Sequence, residues 1–84
     1  MTVKEFENKV WRIEGVRVVV RAAASAAVQD YGYRNAADKT WNLSEWLENR
    51  VVSKLNGYDV VVIGADGKVP HGRTLLRTIR ERYA

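Results

Sequence analysis

The chain has 84 residues, 46% hydrophobic and 29% charged, with a formal net charge of +4, one histidine and no cysteine. That length holds one domain, spanning 1–84, which buries only about two thirds of its unfolded surface, and the composition is that of a folding chain rather than a disordered one. Disulfides and thiolate chemistry are excluded, a His/Cys metal site lacks its ligands, and no apolar run approaches the ~18 residues of a membrane span.

The first residues, Met1-Thr2-Val3-Lys4-Glu5, lack the basic-then-apolar order of a signal peptide, so a cytoplasmic protein is expected. Arginine outnumbers lysine nine to five. With plentiful alanine and valine, this leans towards a GC-rich bacterial or phage genome. The charge is uneven: residues 1–67 hold nine basic and nine acidic side chains, whereas 68–84 hold Lys68, Arg73, Arg77, Arg80 and Arg82 against Glu81 alone. A local excess of this kind points to an anionic partner more directly than a diffuse one.

Thr2 and Glu5 have the spacing of a capping box, and Val3, Phe6 and Val10 follow at helical intervals, which predicts a short helix over 3–9. From Trp11 the apolar period reads as two. Trp11 and Ile13 alternate with Arg12 and Glu14, and Val16, Val18 and Val20 alternate with Arg17, Val19 and Arg21. This pattern predicts a β-hairpin turning near Glu14-Gly15. A two-residue turn there would set Arg12 against Arg17, an unfavourable like-charge pair, so the register stays open. Residues 22–41 are ambiguous. The alanine run has high helix propensity but no large apolar stripe, and the reading favours an extension of the second strand followed by an irregular segment through Tyr31-Gly32-Tyr33-Arg34.

Asn42 with Glu45 repeats the capping-box spacing, Trp41 and Trp46 have that of a hydrophobic staple, and Leu43, Trp46, Leu47, Val51 and Leu55 share a face. A helix over 43–56 follows, closed by Asn56-Gly57, with Tyr58 placed to cover Val52. Val60-Val61-Val62-Ile63 reads as a central strand covered on both faces. A last helix from about Thr74 sets Leu75, Leu76, Ile79 and Tyr83 on one stripe and Arg73, Arg77 and Arg80 on the other side. Assembled, these elements predict an α+β fold. Its small three-stranded mixed sheet consists of the hairpin plus a strand reached by a right-handed helical crossover, packed against two or three helices.

The loop between the last strand and helix, residues 64–74, contains Gly64, Gly67, Gly72, the only proline and the only histidine. Gly67 to Thr74 matches the phosphate-binding pattern G-x-x-x-x-G-K-[ST] except that Arg73 replaces the lysine. Pro70 removes one donor from such a cradle, and the chain is too short for the parallel sheet of a nucleotide hydrolase. Simple anion binding by Gly72, Arg73, Thr74 and their backbone is the functional alternative to an ordinary turn and helix cap. His71 is the one side chain suited to proton transfer near neutral pH, with Asp66 close in sequence to orient it. A lone loop histidine is more often a hydrogen-bonding group. Arg73, Arg77 and Arg80 would meet phosphates or a partner's carboxylates, or simply solvate a surface helix. Tyr31 and Tyr33, if exposed, would make a second interaction patch; Trp11, Trp41 and Trp46 are expected in the core.

The sequence reading is therefore a non-catalytic interaction module with no cofactor and no metal. It binds a protein partner through His71, Gly72, Arg73, Thr74, Arg77 and Arg80, with Tyr31 and Tyr33 as an additional patch. Nucleic-acid or phosphate binding by the same basic element is the alternative, and a small enzyme using His71 is the third reading. A homo-oligomer formed through an exposed strand edge is also compatible with so small a core.

Overall fold

A computed structural model describes residues 1–83. The first helix, α1, runs over Val3–Glu14, five residues beyond the expected 3–9. Its capping box forms as the spacing implies, with the Glu5 amide donating to Thr2 Oγ1 at 3.2 Å and the Thr2 amide to Glu5 Oε1 at 3.0 Å. Val3, Phe6, Val10 and Glu14 lie at helical spacing and are all buried. The alternation seen from Trp11 to Glu14 is the edge of this stripe and not a strand. Gly15, read from sequence as a hairpin turn, instead ends α1 with a left-handed φ of 68° and donates its amide to the Trp11 carbonyl.

The alanine run does not form a helix because its carbonyls have another use. The Val3 and Lys4 amides, orphaned at the start of α1, donate to the Ala26 and Ala24 carbonyls at 2.9 and 3.1 Å. Residues 21–42 thus cap α1 and wrap the core without a regular element longer than the isolated Thr2–Ala27 bridge. Val28, Tyr31 and Ala37 anchor this segment in the interior.

Strands β1, Val18–Val20, and β2, Val60–Val62, pair antiparallel, with Val18 opposite Val62 and Val20 opposite Val60. The expected three-stranded mixed sheet is therefore replaced by a two-stranded antiparallel one, within an α+β arrangement. The third strand is missing because residues 11–14 belong to α1, and an antiparallel pair has no parallel crossover. Nor is β2 a central strand, since it pairs on one edge only. Val18, Val20 and Val62 face the core while Val19 is exposed, so one face of the sheet is covered. One rung is completed by a side chain. Ile63 donates its amide to the Arg17 carbonyl at 3.0 Å, and the Tyr83 hydroxyl stands between the other two groups, accepting from the Arg17 amide and donating to the Ile63 carbonyl.

The helix expected over 43–56 begins where its cap places it but does not stay regular. It is an α-helix, α2, over Leu43–Trp46, continuing as a π turn over Leu47–Val51 and a 3-10 turn over Val52–Lys54. The widened turn lets Leu43, Trp46, Val51 and Leu55 all reach the interior. Val52 and Tyr58 are both exposed. The last helix, α3, spans Leu76–Tyr83 and buries Leu76 and Ile79. Among the described residues, no helix is long and apolar enough to cross a membrane.

Candidate functional site

The loop 64–74 is held by its own backbone and by the start of α2. Gly64 donates its amide to the Lys68 carbonyl at 2.8 Å, Gly67 to the Gly64 carbonyl at 2.9 Å, and Lys68 to Asp66 Oδ1 at 3.0 Å. Further on, Thr74 donates to the His71 carbonyl at 2.9 Å and Arg73 to His71 Nδ1 at 3.1 Å. Residues 72–77 then run antiparallel beside 39–44. Leu43 and Ser44 donate to the Thr74 and Gly72 carbonyls, and Leu76 and Arg77 donate to those of Trp41 and Lys39, all within 2.9–3.1 Å. The seam is close at position 72, where a Cβ would come within 2.2 Å of Ser44 Oγ and oblige that hydroxyl to turn away.

This seam decides what the loop can do. A phosphate cradle needs unengaged amides, yet those of Gly67, Lys68, Arg73, Thr74, Leu76 and Arg77 are bonded within the chain. The α2 start is closed in the same way, its third amide donating to Asn42 Oδ1 at 2.8 Å. The Arg73 and Thr74 amides, which the phosphate-loop pattern would turn towards an anion, are bonded to His71 instead, so the exposed side chains are the groups this loop presents most freely. His71 Nδ1 is occupied by the Arg73 amide, and Asp66, the residue nearest in sequence to orient it, holds the Lys68 amide instead.

The arginines divide into two groups. Arg73 and Arg77 are exposed and, among the described residues, form no ion pair. Arg80, expected beside them, turns inward. Its Nη2 donates to Glu14 Oε1 at 2.8 Å, its Nε to the Glu14 carbonyl at 2.6 Å and its Nη1 to the Ala37 carbonyl at 3.1 Å. Every nitrogen of that guanidinium has a partner within the chain. Lys68 and Arg82 are exposed beside the loop, and the Arg77–Lys39 backbone bond sets Lys39 next to Arg77. The basic surface therefore consists of Arg73, Arg77 and Lys39, with Lys68 and Arg82 nearby.

Glu14, a residue that sequence reasoning assigned to a turn, is the interior partner of two arginines. Its Oε1 accepts from the Ala37 amide and Arg80, and its Oε2 from the Tyr31 hydroxyl and Arg50 Nη1, the last at 2.9 Å. Trp46 Nε1 donates to the Tyr31 oxygen at 3.1 Å. The signal in the sequence was a carboxylate on the apolar stripe of α1, eleven residues after Val3 and four after Val10. Burial, followed by the hydrogen bond to the Glu14 carboxylate, pushes the Tyr31 phenol well above its ordinary value. Burial alone would lower the Arg50 guanidinium, but its bonds with Tyr31 and Glu14 outweigh that and raise it.

Tyr31 therefore cannot join an exposed patch, being fully buried and edge-on to Phe6 at 5.5 Å. Tyr33 is half-buried beneath Arg50, whose guanidinium lies 4.3 Å from the ring centroid. Trp46 is in the core as expected, Trp41 is half-buried, and Trp11 is exposed, with Arg17 over its ring. No protein-family model matches this chain, and no similar protein emerges among curated sequences or solved structures.

Proposed function

We propose that this chain is a non-catalytic interaction module that docks an acidic surface of a larger protein through Arg73, Arg77 and the 64–74 loop. The observation that carries this reading is the contrast between engaged backbone and unengaged guanidinium groups on one fixed seam. Arg73 and Arg77 stand four residues apart on a backbone fastened to 39–44, so a partner's carboxylates meet two cations on a fixed base, each with the fork geometry for bidentate bonds. His71, Gly72 and Thr74 act by shaping this seam: His71 holds the Arg73 amide, Gly72 permits the approach to Ser44, and Thr74 accepts the Leu43 amide.

The test is affinity capture with the tagged chain and its Arg73→Glu/Arg77→Glu variant from the same extract of its own cells. The reading predicts protein partners with acidic surfaces that the variant fails to retain. Equal retention by both chains contradicts it. Capture of nucleic acid, lost steeply as salt rises, would instead mark the same cations as phosphate contacts.

A further inference from the structure

We propose a second docking surface, distinct from the basic seam: the groove between α1 and β1, occupied by an extended acidic peptide segment paired edge-on to Val18. The ladder bonds fix which groups face outward. Ile63 to Arg17 and Arg21 to Asp59 are hydrogen-bonded rungs, so by antiparallel alternation Val18 and Val20 turn their amides and carbonyls away from β2. Val20 is already satisfied there, its amide by Glu7 Oε2 at 2.9 Å and its carbonyl by the Ala22 amide at 2.9 Å. Val18 has no backbone partner among the described residues. Though its side chain faces the core and it is only 5% exposed, Val18 lines a groove of about 300 Å³ together with Glu7, Asn8, Trp11, Arg17, Val19 and Ile63.

The chemistry of the groove selects its occupant. Trp11 and Val19 are 38% and 43% exposed, an apolar floor beside an unpaired strand edge. Arg17 lies 4.5 Å from the Trp11 ring centroid, and Arg17 and Arg21, which extend the ladder just beyond either end of β1, are exposed on the same face as Val19. Neither arginine has a carboxylate partner among the described residues, and Glu7, the carboxylate lining the groove, is held by Val20. A strand added here sets alternate side chains against Arg17, Val19 and Arg21, which calls for acidic, apolar and acidic residues at every second position. A second copy of this chain fits worse, because edge-to-edge pairing would bring Arg17 and Arg21 against their own kind. Nucleic acid also fits worse, since it has no alternating backbone amide and carbonyl to pair with those of Val18.

The experiment is selection of a displayed random dodecapeptide library on the immobilised full chain. The best clone is then titrated, as a synthetic peptide, into isotope-labelled protein. The proposal expects enrichment of the acidic–x–apolar–x–acidic pattern and saturable shifts of the Val18 amide and the Trp11 indole. It also expects at least about tenfold weaker binding in Arg17→Glu/Arg21→Glu, a variant that leaves the core untouched and whose amide dispersion reports its fold. It is overturned if no sequence is enriched, if the peptide shifts residues 64–77 instead, or if charge reversal leaves affinity unchanged. Val18 shifts that depend on protein concentration without peptide would assign the edge to a second copy and overturn it equally.

Discussion

Glu14 gives up water entirely and receives four donors in exchange, two on each oxygen. Burying a carboxylate costs several kcal/mol, and only such complete satisfaction offsets it. Removing the charge leaves Arg50 and Arg80 partly buried with backbone carbonyls but no carboxylate opposite. Glu14→Gln should therefore destabilise the fold by about 3–5 kcal/mol, a large share of the roughly 5–15 kcal/mol that holds small domains. Urea denaturation reads this directly, and a loss under ~1 kcal/mol would show the network to be dispensable. Tyr31 adds a pH signature. Its phenol is raised in the fold, so above about pH 10 the unfolded chain releases a proton that the folded chain keeps, and stability falls as pH rises. Tyr31→Phe lowers stability overall by removing a donor to Glu14 but should flatten this alkaline decline. An unchanged slope in urea midpoints between about pH 8 and 11 would place the titration elsewhere.

At the level of elements, the ends of helices were more legible than their interiors. Both capping boxes form at the residues whose spacing announced them, because a cap is a local contract between side chain and backbone. The interior of α1 was misread at Trp11 to Glu14, where a helical stripe and a two-residue alternation coincide over four residues. The tie is broken by Glu14, whose burial makes sense only once Arg50 and Arg80, 36 and 66 residues away, are in place. The alanine run was opaque for a related reason: its structure is set by the α1 amides it caps. Gly15 offers the element-scale check. A Cβ there would meet Arg80 Cγ at an unstrained 3.8 Å, so the cost of Gly15→Ala is conformational, about 1 kcal/mol from the left-handed φ. Thermal unfolding should show this loss, with Gly15→Asn losing less; a hairpin-turn role would instead abolish pairing of β1.

At the scale of the whole molecule, the same network determines which surface is left for partners. Glu14 draws Arg80 inward and fixes α3, while the 39–44 and 72–77 seam holds Arg73 and Arg77 outward with the amides of Arg73, Thr74, Leu76 and Arg77 engaged. The basic excess in residues 68–84 was visible in the sequence. Its division into one inward arginine, Arg80, and three exposed ones, Arg73, Arg77 and Arg82, was not, since that depends on a carboxylate at the other end of the chain. The loop's resemblance to a phosphate cradle was likewise a matter of residue order, and hydrogen bonds within the loop, to Gly64, Asp66 and His71, engage the Gly67, Lys68, Arg73 and Thr74 amides that order suggested. The measurement that tests this account most directly is an amide-resolved titration with inorganic phosphate and with short single-stranded and duplex nucleic acid at low and moderate salt. Recognition by side chains of a protein partner predicts that the backbone amides of residues 67–77 stay in place, with at most weak, salt-sensitive shifts of the Arg73 and Arg77 side chains. Saturable shifts of the Arg73, Thr74 and Leu76 amides that persist at moderate salt would contradict it, returning the loop to an anion-binding role.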